Sequence, residues 1–187
     1  KLVIQKLLTM KTLKIVGIVV LALLAILGIV IVMQPSEAHI KRSIVINAPA
    51  SSIFPEISNY KNFVVWSPWS KMDPGVKQTF EGTDATVGSK MTWDGPKTGK
   101  GSQWIEQIEK GKRVRSGMSF EGFEGTSYSE FILEPTTDGT TVTWTYEGQN
   151  DGFAGKAMWV VMGAMLSGQY DLGLKDLKQL VESKPAQ

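Results

Sequence analysis

Hydrophobic and polar positions divide the chain into two regions with different periodicities. Residues 15–33 form an apolar run of 19 residues without a charge, whereas from His39 onward short stretches of alternating apolar and polar residues follow one another. As a helix rising about 1.5 Å per residue, the apolar run is long enough to cross a hydrocarbon core of about 30 Å. The alternation beyond it is typical of half-buried β-strands. The pattern therefore predicts one transmembrane helix followed by one folded domain.

The charges next to the apolar run predict its orientation in a membrane. Four lysines, at positions 1, 6, 11 and 14, and no acidic residue precede the run, and the positive-inside rule keeps such a segment in the cytoplasm. We therefore expect a single-pass protein of the cell membrane with an extracytoplasmic domain. The predicted segments are residues 1–14 as a cytoplasmic tail, 15–33 as the anchor, 34–38 as a linker, 39–183 as the folded domain and 184–187 as a short tail.

A cleaved signal peptide is the alternative to a retained anchor. Ser36 and Ala38 are small residues at a plausible cleavage spacing, and cleavage there would secrete the domain. The apolar run is longer than the roughly 7–15 residues usual for a signal peptide, which favours the anchor. Met10 begins a Met-Lys-Thr-Leu-Lys segment typical of a natural start, with residues 1–9 as an upstream extension.

Strand-like runs follow one another at spacings that short turns can connect. Segments rich in Gly, Pro, Asn or Asp separate most of them, and these residues favour tight turns. Strands joined by short turns are antiparallel neighbours, so the runs predict one antiparallel sheet. The predicted strands are residues 41–47, 76–81, 89–93, 101–108, 113–120, 127–134 and 140–147.

Helical spacing predicts short helices at residues 50–57 and 60–66 and a long final helix from Phe153 to Val181. Apolar residues form one stripe on the final helix, namely Leu166, Tyr170, Leu174, Leu177 and Val181. One apolar sheet face and one apolar helix stripe can bury each other. We therefore predict an α+β helix-grip fold: a curved antiparallel sheet of about seven strands around a long C-terminal helix, preceded by one transmembrane helix.

The first half of the final helix is unusual, because residues 157–166 are apolar on nearly all sides. The run is too short for a second membrane span, which needs about 20 residues. An all-round apolar helix indicates burial on several sides or contact with something apolar outside the core. Methionines are adaptable side chains that suit a variable cavity, so this segment is either ordinary core or the wall of a pocket.

The composition excludes several kinds of chemistry. The chain has no cysteine and one histidine, His39, which excludes disulfides, cysteine nucleophiles, cysteine-bound metals and multi-histidine metal sites. Beyond residue 34 the chain carries 16 basic and 18 acidic residues, without the basic stripe typical of a nucleic-acid-binding domain. We therefore expect no cofactor, no metal and no nucleic acid as partner.

Few residues are candidates for catalysis. His39 follows directly after the anchor, where a polar residue beside a membrane is the simpler interpretation. Glu121 and Glu124 occupy a glycine-flanked turn that is typical of a solvated loop. General acid–base catalysis requires a carboxyl in a water-poor cleft with a shifted pKa, and no pattern in the sequence indicates one. No catalytic residue is therefore predicted.

Several motifs, in their order along the chain, resemble the SRPBCC superfamily, which includes START-like lipid carriers and birch-pollen-allergen-like proteins. The motifs are Ser43 to Pro49, Ile53-Phe54, Trp66-Ser67-Pro68-Trp69, Gly88 to Trp93 and Gly173 to Lys178. They are most similar to the polyketide cyclase/dehydrase-like group. The resemblance implies a helix-grip fold with a deep apolar cavity between the sheet and the final helix, in a superfamily that contains both carriers and enzymes.

We expect a membrane-anchored domain that binds a small hydrophobic or lipid-like ligand in that cavity, without catalysis. A cyclase- or dehydratase-like enzyme with a buried carboxyl of raised pKa is a second hypothesis, and an interaction module whose cavity is closed by side chains is a third. The ligand and the oligomeric state stay open. The predicted pocket residues are Trp66 and Trp69, in a loop at the entrance, and Met91, Trp93, Met118, Phe120, Phe131, Trp144, Tyr146, Met158, Met162 and Met165.

Overall fold

A computed structural model describes residues 2–184, with side chains from Thr12 onward, so the predicted C-terminal tail lies outside the described residues except for Lys184. Within that range the elements confirm the predicted helix-grip fold, and α4 is an addition that the pattern did not predict. In chain order they are α1 (Leu2–Val32), β1 (Glu37–Ile46), α2 (Ala50–Ser58), α3 (Tyr60–Trp66), α4 (Pro68–Met72), β2 (Lys77–Glu81), β3 (Lys90–Gly95), β4 (Gly99–Glu109), β5 (Arg113–Phe120), β6 (Ser127–Thr136), β7 (Gly139–Gln149) and α5 (Gly152–Glu182).

The strands of the described chain form one antiparallel sheet in the order β1-β7-β6-β5-β4-β3-β2. From β2 to β7, each strand lies beside the next one in the chain, as the turn spacing predicts. The first strand instead pairs with the last, in a ladder that runs from Glu37–Gln149 to Ile46–Thr140. The two ends of the domain therefore meet in the sheet.

The second half of α5 packs on the sheet and runs alongside β1. Tyr170, Leu174, Leu177 and Val181 are buried and Leu166 is partly buried, which confirms the predicted stripe. Arg42 Nε donates to Asp171 Oδ2 (3.2 Å), and Lys178 Nζ donates to Val45 O (2.8 Å) further along. The chain therefore runs in the same direction in α5 and in β1, away from α1.

A stack of three aromatic rings joins α5 to the centre of the sheet. Trp144 of β7 stacks on Phe131 of β6 with 4.7 Å between ring centroids, and on Tyr170 of α5 with 4.0 Å. The Trp144 indole N–H donates to Ser129 Oγ (2.7 Å), so its polar atom is satisfied inside the core. Gly173 permits the close approach of α5, because a Cβ there would lie 2.7 Å from the Trp144 ring.

In the described chain, α1 is the one helix long and apolar enough to cross a membrane. Its Thr12–Val32 segment has a mean hydropathy of 3.4 and is almost wholly exposed. The C-terminal end of α1 touches the start of α5, where Lys156 Nζ donates to the Val32 carbonyl (3.1 Å) and Ile31 is buried. The apolar helix is therefore in contact with the folded domain.

Leu177 and Leu172 lie on different sides of α5 and test the contribution of its packed stripe to stability. Leu177 is 0% exposed, whereas Leu172 is 44% exposed. We expect Leu177→Ala to lower the free energy of unfolding by about 3 kcal/mol, because it leaves a cavity in the core. For the matched control, Leu172→Ala, we expect a change of about 0.5 kcal/mol or less. Urea unfolding of the full chain in detergent micelles measures both, and equal effects would contradict the packing.

Candidate ligand-binding site

Two pairs of half-buried aromatic side chains lie toward the end of the sheet where β1 begins. They are Trp93 of β3, Phe120 of β5, Tyr146 of β7 and Trp159 of α5, and we call these four residues the aromatic end. Phe120 is the last residue of its strand, and the loop after it lies at the same end as Glu37. The aromatic end therefore lies on the side of the domain from which α1 extends.

Tyr146 and Trp159 connect the last strand to the first half of α5. Their rings are nearly parallel, with 5.9 Å between centroids and 17° between planes. The Tyr146 hydroxyl forms a hydrogen bond with Ser127 Oγ (3.1 Å) at the start of β6. Gly148 leaves room for this hydroxyl, because a Cβ there would lie 2.7 Å from it. Tyr146 therefore combines a ring contact with α5 and a hydroxyl contact with β6.

Trp93 and Phe120 meet across the strand that separates them. Their rings pack edge to face, with 5.6 Å between centroids. On the intervening strand β4, Gly101 is paired with both residues, and a Cβ at Gly101 would clash with the Trp93 ring. The missing side chain at Gly101 therefore brings the two rings together over the sheet.

The sheet residues of the predicted pocket divide into a buried group and a half-buried group. Met91, Met118, Phe131 and Trp144 are each at most 8% exposed, and Phe131 and Trp144 are part of the ring stack. Trp93, Phe120 and Tyr146 remain half-buried at the aromatic end. At the level of Trp144 the space between sheet and helix is therefore filled by side chains.

The structure places Trp66 and Trp69 in helices and not in the predicted loop. Trp66 is the last residue of α3 and 2% exposed, and its ring lies edge-on to Trp144 at 5.7 Å between centroids. Its indole N–H donates to the Glu56 carbonyl (3.1 Å). Trp69 lies half-buried in α4, because Pro68 begins a new helix at a position where proline is tolerated.

The predicted pocket methionines of α5 lie on its exposed sides. Met158, Met162 and Met165 are 40%, 38% and 49% exposed, whereas Trp159 and Leu166 pack against the core. The structure therefore does not bring these methionines together with the sheet residues of the predicted pocket.

Hydroxyl groups accompany the aromatic rings in the interior. The Tyr60 hydroxyl forms a hydrogen bond with Ser116 Oγ (2.9 Å), and Ser116 is paired with Ser129 on the next strand. Burial raises the pKa of Tyr60 well above its ordinary value, against the opposing effect of Ser116, and burial raises the pKa of Tyr170 in the same way. At neutral pH both phenols are therefore uncharged hydrogen-bonding groups.

Asp73, the buried residue after α4, holds the β3–β4 turn. Its Oδ2 accepts hydrogen bonds from the N–H groups of Lys97 and Thr98 (both 2.9 Å) and from the Thr98 hydroxyl (3.0 Å). Burial alone would raise the pKa of the Asp73 carboxyl, but these bonds and one from the Gly75 N–H lower it below its usual value. An ionised carboxylate therefore ties α4 to the hairpin that carries Trp93.

The residues considered for catalysis are not gathered in one place. Glu121 and Glu124 are exposed in the β5–β6 turn, and His39 is exposed on β1. Glu56 is buried, and its Oε1 accepts a hydrogen bond from Lys184 Nζ (2.8 Å). Within residues 2–184, no group of three or more His, Asp or Glu side chains is arranged to hold a metal ion.

Two open depressions lie at the opposite end of the sheet from the aromatic end. Asn47, which follows β1, belongs to both, together with residues of the β6–β7 turn such as Thr137. Neither depression is enclosed, and neither contains a predicted pocket residue. The aromatic end is therefore the candidate site, because it combines large apolar surface with nearby hydroxyl groups.

Comparison with known families agrees with the fold. A family model described as polyketide cyclase / dehydrase and lipid transport matches residues 37–182, which include every strand of the described chain and α5. This match confirms the resemblance to the SRPBCC superfamily. No curated protein matches the chain at a significant level.

Solved structures show the same fold at low sequence identity. A protein from Chromobacterium violaceum is 20% identical, with a TM-score of 0.60 over 79% of this chain and 99% of that chain. A protein from Rhizobium leguminosarum is 17% identical, with a TM-score of 0.60 over 79% and 96%, and one from Mesorhizobium loti is 16% identical, with a TM-score of 0.59 over 79% and 98%. At these identities the likeness concerns the fold alone.

The lowered pKa of Asp73 predicts how its contribution to stability depends on pH. The folded state favours the ionised carboxylate, so the contribution is present above the unfolded-state pKa of about 4 and is lost as the pH falls through the lower folded-state value. We expect Asp73→Asn to destabilise the full chain at pH 7, and the difference from the wild type to shrink below about pH 4.

Urea unfolding of both proteins in detergent micelles at a series of pH values measures this difference. Asp138→Asn, at an exposed carboxylate in the β6–β7 turn, is the matched control and should leave the free energy of unfolding unchanged. A difference between Asp73→Asn and the wild type that stays constant down to pH 3 would contradict the assignment.

Proposed function

Since the chain belongs to the polyketide cyclase/dehydrase and lipid transport family, we propose that it binds a small apolar or lipid-like ligand between its sheet and α5. The observation that carries the proposal is the aromatic end, where the fold leaves four large apolar rings half-buried. Partly open aromatic rings beside a few polar groups are typical of ligand sites. A ligand seated there would remove these rings from water, which favours binding.

The hydroxyls at the aromatic end favour a ligand with an apolar body and a small polar group. Tyr146 and Ser127 bond to each other at 3.1 Å, and each hydroxyl has further capacity to donate or accept. Because the ring stack at Trp144 fills the centre of the core, the proposed ligand lies at the aromatic end and does not extend along the whole of α5.

We further propose that α1 is a retained anchor with its lysine-rich end in the cytoplasm. Its length and apolar composition support a membrane span, and its contacts with α5 through Lys156 and Ile31 support its retention. A tether of this kind raises the concentration of the domain at the membrane surface, where apolar molecules accumulate.

A second candidate function is that of an interaction module, whose cavity is closed by side chains. The observation that favours it is that rings from four elements pack together in the centre of the core. Trp66, Phe131, Trp144 and Tyr170 fill that region. In such a module the aromatic end would contact a protein partner instead of a small ligand. A cyclase or dehydratase reaction has less support, since the buried carboxyls of Asp73 and Glu56 are engaged in contacts that hold the fold.

A photoactivatable fatty acid tests the proposed site in the full chain. The fatty acid carries a diazirine in the middle of its chain and is incorporated into phospholipid vesicles that contain the protein. We expect irradiation to label Phe120, Tyr146 or Trp159 in addition to α1, which meets lipid in any case and serves as the internal reference. Labels confined to α1 and the outer side of α5 would contradict the proposed site.

Trp159→Ala and Trp104→Ala form a matched pair for the same experiment. Trp159 stacks on Tyr146, whereas Trp104 alternates with the buried residues of β4 and donates its N–H to Glu106 Oε1 (3.2 Å). We expect Trp159→Ala to weaken labelling of the sheet residues about tenfold, or about 1.4 kcal/mol for a lost aromatic contact. Trp104→Ala should leave labelling unchanged, and mass spectrometry of the adducts, normalised to α1, compares them. Equal losses of labelling in the two variants would contradict the proposed role of the contact between Trp159 and Tyr146.

A further inference from the structure

We propose that the first half of α5, residues 152–169, is a docking surface for the bilayer that α1 spans, with lipid as its occupant. The inference rests on the proposed function in one respect, which is that α1 is a membrane anchor. It does not depend on the identity of the ligand or on the use of the aromatic end.

The segment presents an exposed apolar stripe on the side of α5 away from the sheet. Met158, Val161 and Met165 recur at helical spacing and are 40%, 73% and 49% exposed, and Phe153 at the start of the helix is 59% exposed. On the opposite side of this half, Trp159 contacts Tyr146 of the sheet. A contiguous exposed apolar surface of this kind is typical of a site that contacts a membrane or another protein.

The distribution of charge along α5 suits lipid at one end and water at the other. Between residues 152 and 170 the one charged residue is Lys156, and none is acidic. From Asp171 to Lys184 six charged residues of both signs follow. A lysine is well suited to the membrane surface, because its apolar stem lies along the lipid while its ammonium reaches the polar headgroups.

The contacts of α5 determine its position along the direction in which β1 runs away from α1, and we call this position its height. Asp171 is level with Arg42 through their ion pair at 3.2 Å, and the 18 residues from Phe153 to Asp171 span about 27 Å of helix. Arg42 lies five residues beyond the start of β1 at Glu37, which is about 17 Å of strand. Phe153 therefore lies roughly 10 Å on the α1 side of the start of the sheet.

The bond between Lys156 and Val32 places α5 at the same height independently. The last carbonyl groups of a helix have no partner within the helix, and the Lys156 ammonium satisfies that of Val32 at 3.1 Å. The first turns of α5 are therefore beside the end of the apolar helix, where the hydrocarbon core meets the headgroups. The height and the apolar stripe together favour lipid over water as the neighbour of this segment.

Single cysteines test the docking surface, because the natural chain contains none. The variants Phe153→Cys and Val161→Cys of the whole chain are labelled with an environment-sensitive fluorophore and reconstituted into phosphatidylcholine/phosphatidylglycerol vesicles. Some of the lipids carry a nitroxide quencher on the upper part of the acyl chain. Lys175→Cys, exposed on the same helix, and Thr137→Cys, exposed at the far end of the sheet, are the controls.

We expect the fluorophore at residue 153 to emit at a shorter wavelength than it does in water, and the nitroxide to quench most of its fluorescence. The label at residue 161 should respond less, and the two control labels should behave as in water. Labels at 153 and 161 that match the controls would overturn the proposal. Blue-shifted labels that the lipid quencher does not reach, together with disulfide-linked dimers of the unlabelled Val161→Cys variant under oxidising conditions, would identify a second copy as the occupant and would also overturn it.

The same samples separate this inference from the proposed function. Flotation of the vesicles shows whether the protein is anchored, and failure to float would contradict the anchor itself. Protein that floats but shows unquenched labels at residues 153 and 161 would contradict the docking surface alone. Labelling of Phe120 and Tyr146 by the photoactivatable fatty acid is a separate measurement, because both residues lie in the sheet and outside the proposed docking surface.

Discussion

The stack of Phe131, Trp144 and Tyr170 is the interaction on which the rest of the domain depends. Each ring comes from a different element, so one set of contacts joins β6, β7 and α5. Stacked rings bury large apolar areas, but an indole inside a core requires an acceptor for its N–H, which Ser129 provides. Gly173 completes the arrangement on the helix, because any side chain at that position would push α5 away from the sheet.

The filled centre divides α5 into two halves with different surroundings. The second half is a core element, held to β1 by polar contacts and by its buried stripe. The first half extends past the sheet, with Tyr146 and the end of α1 as neighbours. Met158, Val161 and Met165 of this half are exposed within their own domain, which fits the proposed contact with lipid better than a role in a closed core.

The strands and long helices could be predicted from the sequence because their signals are local. Alternation marks each strand, and the spacing of Leu174, Leu177 and Val181 marks the packed face of α5. The helix at Pro68 escaped prediction because proline usually interrupts a helix, although its first position accepts one. The apolar composition of this segment led to the prediction that the methionines of α5 line a pocket. Their exposure depends instead on the point at which the helix extends past the sheet, which composition does not indicate. The role of Asp73 depends on a turn 24 residues away, for which no local pattern exists.

The pairing of the first strand with the last determines the order in which the domain can be assembled. The ribosome delivers β1 directly after the apolar helix, but its partner strand ends more than 100 residues later, at Gln149. At about 5–20 residues per second, β1 waits on the order of ten seconds with an open hydrogen-bonding edge. The hairpins from β2 to β7 can form during that interval, since their contacts are close in the chain. The β1–β7 ladder is therefore the least local strand pairing of the sheet, and it closes next to the end of the apolar helix that precedes β1.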